Sequence, residues 1–174
     1  MRRGLLVLPL LLFGCGDDDT VDATATTTTP FEGATTPTSS ASSATSVALL
    51  VDVEVTASSV TFTFEEGAVP GFEVAYVEPP VREDGSGERV EVDGAAILLV
   101  RFEPAAGVDL AGEDFRPTYI GPERLPGPGS GVVVEAVRIG DFEANLTWAI
   151  GLDAEAPFRV DAGADGITVS VAPG

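Results

Sequence analysis

The chain has 174 residues, with 28 Asp plus Glu against 9 Lys plus Arg, no histidine, and a formal charge of −19 at pH 7. All the cations are arginine, and a surface this acidic is repelled both by anionic lipid head groups and by phosphate backbones, which proteins bind by neutralising them with Lys and Arg. Nucleic acid is thereby excluded as a partner, and a single cysteine rules out an internal disulfide framework.

The chain opens on a leader. Arg2 and Arg3 give a short positive region, and Gly4 to Phe13 an apolar stretch of about ten residues, the length of a signal-peptide core. A bilayer takes about 20 apolar residues to span as a helix, so this stretch is too short. Leu12-Phe13-Gly14-Cys15 resembles the bacterial lipobox, with an aliphatic residue three before the cysteine and a small one immediately before it. In proteins carrying that signal the thiol receives a diacylglyceryl group, and cleavage leaves the cysteine as the new N-terminus. Cys15 is the expected lipidation site, and two acyl chains give stable attachment where one does not. The expected location is extracytoplasmic, on the outer face of the bacterial cell membrane. The mature chain then carries 7 arginines against 28 acids, a formal charge of −21.

From Asp17 to Ser46 the chain is almost entirely Thr, Ser, Ala, Asp and Pro, with Val21 and Phe31 the sizeable apolar residues. Such a segment buries too little surface to offset its ordering entropy, and it is read as a disordered tether. As a coil it reaches about 30 Å, and fully stretched about 100 Å.

From Val47 the pattern changes to alternation with period two, the mark of strands with one buried face. Val47, Leu49, Val51, Val53 and Val55 share a face, as do Val60, Phe62 and Phe64. Phe72, Val74 and Tyr76 follow a Pro70-Gly71 turn. Asp93-Gly94, a hairpin signal, separates Arg89 to Val92 from the apolar run Ala95 to Phe102. Phe142, Ala144, Leu146, Trp148 and Ile150 alternate with polar or small residues, and short strands are expected at Phe158 to Asp161 and Ile167 to Val171. One helical turn is allowed near Asp109 to Phe115. The fold class is all-β: a single β-sandwich, or its closed barrel-like version, of 8 to 9 mostly antiparallel strands. The expected organisation is a signal peptide over 1–14, Cys15 and the tether over 15–46, and one domain over 47–174. Two loops are long, Pro79 to Glu88 and Glu103 to Gly131, and long loops on an all-β scaffold are where recognition lives.

Without histidine or lysine there is no Ser-His-Asp, Cys-His or Ser-Lys arrangement, and a zinc site lacks its usual ligands. Carboxylate pairs such as Asp52 and Glu54 suit glycoside hydrolysis only superficially and read better as a solvated strand face. Asp161 to Asp165 does not match the calcium-loop spacing. No catalytic residue, metal or cofactor is expected. Asn145-Leu146-Thr147 is a glycosylation sequon only formally, and Trp148 shares a face with Leu146 and Ile150, which favours the core. The second loop holds Phe115, Arg116, Tyr119 and Arg124, stiffened by Pro117 and Pro122. Arginine offers a planar donor fork and tyrosine a stacking face with a polar tip, so Arg116, Tyr119 and Arg124 are the candidate ligand-binding residues. The plainer reading is that Phe115 and Tyr119 plug one end of the sandwich while the arginines pair with acids.

The segments VTFTFEEGAVPGFEVAYVEPPVREDGSGERVEV, GVDLAGEDFRPTYIGPERLPG, VVVEAVRIGDFEANLTWAIGLDAEAPFRV and GITVSV, in that order, resemble the AMIN-like domain of actinobacterial lipoproteins over nearly all of Ser59 to Val171. The family takes its name from the AMIN domain, a β-sandwich found beside cell-wall amidases and in secretins, where it helps place the protein at the envelope by binding peptidoglycan. The resemblance implies a targeting or binding module without an enzyme, since a zinc amidase needs histidine. The expected function is that of a non-catalytic, lipid-anchored, monomeric envelope protein that binds peptidoglycan or another wall polymer. The alternative is an interaction or assembly lipoprotein docking an envelope protein.

Overall fold

The computed structural model describes residues 30–42, 46–66, 68–112, 114–164 and 166–174. The signal peptide and Cys15 lie outside the described residues, as does Asp165. The described chain begins with β1 (Thr38–Ser40), β2 (Ala48–Val55), β3 (Ser59–Phe64) and β4 (Gly71–Tyr76). A small hairpin, β5 (Val81–Arg82) and β6 (Arg89–Val90), precedes β7 (Ala96–Glu103). Four short segments occupy the second long loop: β8 (Ala105–Ala106), β9 (Val108–Asp109), β10 (Arg116–Pro117) and β11 (Arg124–Pro126). The chain closes with β12 (Val133–Phe142), β13 (Asn145–Leu152), β14 (Phe158–Ala162) and β15 (Gly166–Val171).

Eight of these strands have five or more residues. They form two facing sheets, one in the order β1-β4-β7-β13-β12-β11 and the other β14-β15-β3-β2-β8. Pairing is antiparallel except between β2 and β8. Neither sheet closes on itself, so the fold is a sandwich rather than a barrel, and no helix occurs among the described residues.

Alternation decides which side chains face inward. Val60, Phe62 and Phe64 of β3 and Ile167, Val169 and Val171 of β15 meet Leu98, Val100 and Phe102 of β7 and Leu146, Trp148 and Ile150 of β13 in one core. The aromatic rings meet edge to face: Phe62 lies 4.9 Å from Phe102 and 5.8 Å from Trp148, and Phe64 lies 5.4 Å from Phe102, centroid to centroid. Such pairs stabilise by about 0.5–1.5 kcal/mol beyond their buried area. The outer face of the larger sheet has its own apolar cluster, in which Val81, Val90 and Val92 of the β5–β6 hairpin region cover Ile97, Val137, Ile139 and Ala149. β13 is consequently buried on both faces.

Several sequence expectations change. In β2 a register shift between Leu50 and Asp52 puts Ala48 and Leu50 in the core and turns Val47, Leu49 and Val51 away from it. An extra residue in one strand reverses which side chains point inward. β6 pairs with β5, so Asp93-Gly94 is not the turn of a β6–β7 hairpin. Instead the Asp93 carbonyl presses on Gly151 at the place a Cβ would occupy, and its N–H donates to Glu135 Oε1 at 2.6 Å. Phe142 belongs to the end of β12, not to β13, and is 56% exposed. Between the two strands, Glu143 (φ 52) and Ala144 (φ 60) make a two-residue turn with both central residues left-handed, the geometry that matches hairpin twist. At non-glycine positions this backbone costs about 1–2 kcal/mol per residue.

Composition alone assigns residues 15–46 to the tether, but the structure takes part of that stretch into the sandwich. Thr38, Ser39 and Ser40 pair with Val74, Glu73 and Phe72 of β4, and Ala34 exchanges two backbone hydrogen bonds with Phe158 of β14, at 3.0 and 2.9 Å. A ladder uses backbone groups, which a Thr/Ser segment supplies as well as any other, and an open strand edge offers unpaired partners. This strap covers an edge of both sheets, on the side where Tyr76 Oη donates to the Ala156 carbonyl at 2.6 Å and accepts from its N–H at 3.0 Å.

Trp148 is fully buried and touches both the opposite sheet and the second loop, so truncating it removes contacts on both sides. Trp148→Ala is expected to lower the urea unfolding free energy by about 3–5 kcal/mol.

Candidate functional site

The second long loop folds back onto the sandwich around Tyr119. The Thr118 and Tyr119 N–H groups donate to the Gly107 carbonyl at 2.9 and 3.0 Å, and the Tyr119 hydroxyl donates to the Pro122 carbonyl at 2.8 Å. The Tyr119 ring meets Trp148 edge to face at 5.6 Å and carries the Arg138 guanidinium 5.9 Å from its centroid. A Cβ on Gly121 would overlap that ring, so glycine permits the turn to wrap it. Burial pushes the Tyr119 phenol above its ordinary value, with Arg138 pulling the other way. At 6% exposure Tyr119 offers no stacking face to solvent.

The two candidate arginines also have internal partners. Arg116 donates to Glu65 Oε1 at 3.1 Å and Asp109 Oδ2 at 3.0 Å, tying the β9–β10 hairpin to the end of β3 while its side chain stays 54% exposed. The Ala111 N–H and the Arg116 guanidinium hold the Asp109 carboxyl below the usual carboxylate range. Arg124 Nη1 donates to both oxygens of Glu135, and its Nη2 donates to the Glu91 carbonyl at 2.7 Å. Glu135 is 4% exposed, and a buried carboxylate is tolerated when donors converge on it as these do. The geometry thus gives Tyr119 and Arg124 fastening roles and leaves Arg116 at a rim. Phe115 does not plug the sandwich, being 69% exposed.

What the loop builds outside this fastening is a surface groove in two adjoining parts, which share Ala106, Val108, Leu110 and Ala144. The larger, about 670 Å³, has Val47, Leu49 and Ala68 along its wall with Glu65, Glu66 and Asp109. The smaller, about 470 Å³, adds Phe115 and Ile139 with Glu123, Arg138, Asp141 and Glu143. Leu110, 71% exposed, stands between them. The groove has an apolar lining with carboxylates around it, and both parts are of the size that takes small ligands. Sequence reasoning missed it because Leu110 and Phe115 lie in irregular backbone where periodicity carries no signal, in a stretch read as a helical turn. Among the described residues no three acidic side chains converge as metal ligands do.

A model described as the AMIN-like domain matches residues 55–172. Comparison with curated proteins and with solved structures gives no match. The matched stretch takes in the loop, the groove's Leu110 and Phe115, and all strands from β3 onward.

Both tyrosines of the chain are raised by burial, Tyr76 against the opposing hydrogen bond from Ala156. The unfolded chain releases these protons near pH 10, the folded chain later, so their stabilising contribution is present below about pH 10 and lost as pH rises through the folded values. In a spectroscopic titration the native protein is expected to show less tyrosinate at pH 10 than the urea-unfolded chain, which is about half ionised there.

Proposed function

The chain belongs to the AMIN-like domain family, and on that footing we propose that it is a non-catalytic envelope protein, lipid-anchored through Cys15, that binds peptidoglycan or another wall polymer. Family membership suggests an envelope-associated, peptidoglycan-related role. The single observation that carries the reading is the family match across the folded domain. The chemistry of the chain agrees with binding rather than turnover, because it has neither histidine nor lysine to serve as a base near neutral pH. The anchor rests on the lipobox-like Leu12-Phe13-Gly14-Cys15.

A second reading is docking of an envelope protein that bears basic and apolar side chains. Exposed Leu110 and Phe115 beside Glu66, Asp109 and Glu143 favour it. The two readings differ in salt dependence, since attraction between exposed charges fades within about 8–10 Å at ordinary ionic strength.

The full chain, purified in detergent, is expected to pellet with purified peptidoglycan sacculi at both low and high salt. Absence from the pellet at both salts overturns the wall reading and leaves docking of an envelope protein, which purified sacculi do not carry. Intact mass of protein extracted from bacterial membranes is expected to show loss of residues 1–14 and a diacylglyceryl adduct on Cys15. An unmodified thiol there overturns the anchor.

A further inference from the structure

The β5–β6 hairpin region covers only part of the larger sheet's outer face. At the other end, strand register aligns Ser39 of β1 with Glu73 of β4, Glu73 with Arg101 of β7, and Arg101 with Thr147 of β13. Their neighbours Val74, Val100 and Trp148 point into the core, so this row faces outward. Thr147 ends the row by donating its hydroxyl to Asp84. Glu73 and Arg101 are exposed and border a groove of about 400 Å³, walled by Ser39, Ser40 and Ser42 of the strap and by Glu103.

Arg101 differs from the other described arginines. Arg89, Arg116, Arg124, Arg138 and Arg159 each hold a carboxylate, and Arg82 donates to the Gly87 carbonyl. Among the described arginines the side chain of Arg101 alone has neither an ion pair nor a hydrogen bond, although Glu73 and Glu103 line the same groove. Its whole donor fork is therefore available to a ligand. A guanidinium matches a single carboxylate with two parallel hydrogen bonds. A serine hydroxyl such as that of Ser39, beside Glu73 in the register, serves a sugar's hydroxyls as donor or acceptor, Ser42 already donating to the Val69 carbonyl, and two flanking carboxylates accept from hydroxyl or amide donors. Those same carboxylates repel a ligand that is anionic along its length.

We propose that the Arg101 groove binds a carboxylate-bearing, hydroxyl-rich glycan segment, with its carboxylate on Arg101 and its hydroxyl or amide donors on Glu73 and Glu103. The proposal rests on the wall-polymer reading and gives it a site away from the groove around Leu110. It also makes the strap part of the site, because the serine wall is supplied by β1 and its flank.

The test uses the full chain in detergent with two probes: purified sacculi, and sacculi whose carboxylates have been converted to amides with carbodiimide and ammonia. Amidation is expected to weaken pelleting of the unaltered protein about tenfold, the scale of losing a hydrogen bond to a charged group. Arg101→Gln is expected to weaken binding to untreated sacculi by a similar factor and to remove the difference between the probes. Arg82→Gln is expected to bind as the unaltered protein does. Arg101 has no internal partner, so its variant should keep the urea unfolding midpoint. If the unaltered protein fails to pellet, the wall reading falls and this site with it. If it pellets and either Arg101→Gln or amidation leaves binding unchanged, the site falls while the wall reading stands.

Discussion

Trp148 is the point at which three parts of the molecule are held together. It sits at the centre of the larger sheet on β13, and its ring meets Phe62 of the facing sheet and Tyr119 of the long loop. The loop from Glu103 to Gly131 carries only short strand segments, and a chain of this kind stays put only when something anchors it to the core. Tyr119 supplies that anchor, through Trp148, Arg138 and the Pro122 carbonyl. Among the described residues the buried indole Nε1 has no hydrogen-bond partner, so the ring is held by its apolar and aromatic contacts.

Around this anchor, arginines fasten the periphery. Arg116 joins the β9–β10 hairpin to the end of β3, Arg124 joins β11 to Glu135 of β12, and Arg138 joins β12 to Glu123. Exposed pairs contribute only about 0–1 kcal/mol each, so Arg124 with nearly buried Glu135 matters most of the three. In a chain with so many acids, each of these pairs also lowers local self-repulsion.

Much of the sandwich was legible in the sequence because β3, β4 and β15 alternate without interruption and β7 stands out as an apolar run. The parts that were not legible break that rule for identifiable reasons. The longest strand, β12, has two register shifts, so Val133 to Ile139 show no steady alternation. The turn after it uses Glu143 and Ala144 where glycine or asparagine would have announced a hairpin. β1 is a Thr/Ser segment whose pairing depends on the vacant edge of β4, a property of the fold and not of those residues. At the candidate site, Arg116, Tyr119 and Arg124 were chosen for side-chain chemistry, but the same donors and ring serve an internal partner as well as an external one. Only burial and pairing, which come from tertiary structure, separate the fastening residues from Arg101.

The strap has a mechanical consequence. Tension applied from the N-terminal side reaches the domain at Ala34, where two backbone hydrogen bonds join it to Phe158, and only then loads the three-residue ladder of β1 on β4. These bonds lie in series and at sheet edges, so they open one after another while the long strands stay paired. Freed and drawn straight, Ala34 to Ser42 adds about 30 Å of chain. The domain thus holds a short reserve of length that a pulling force spends before the core carries any load.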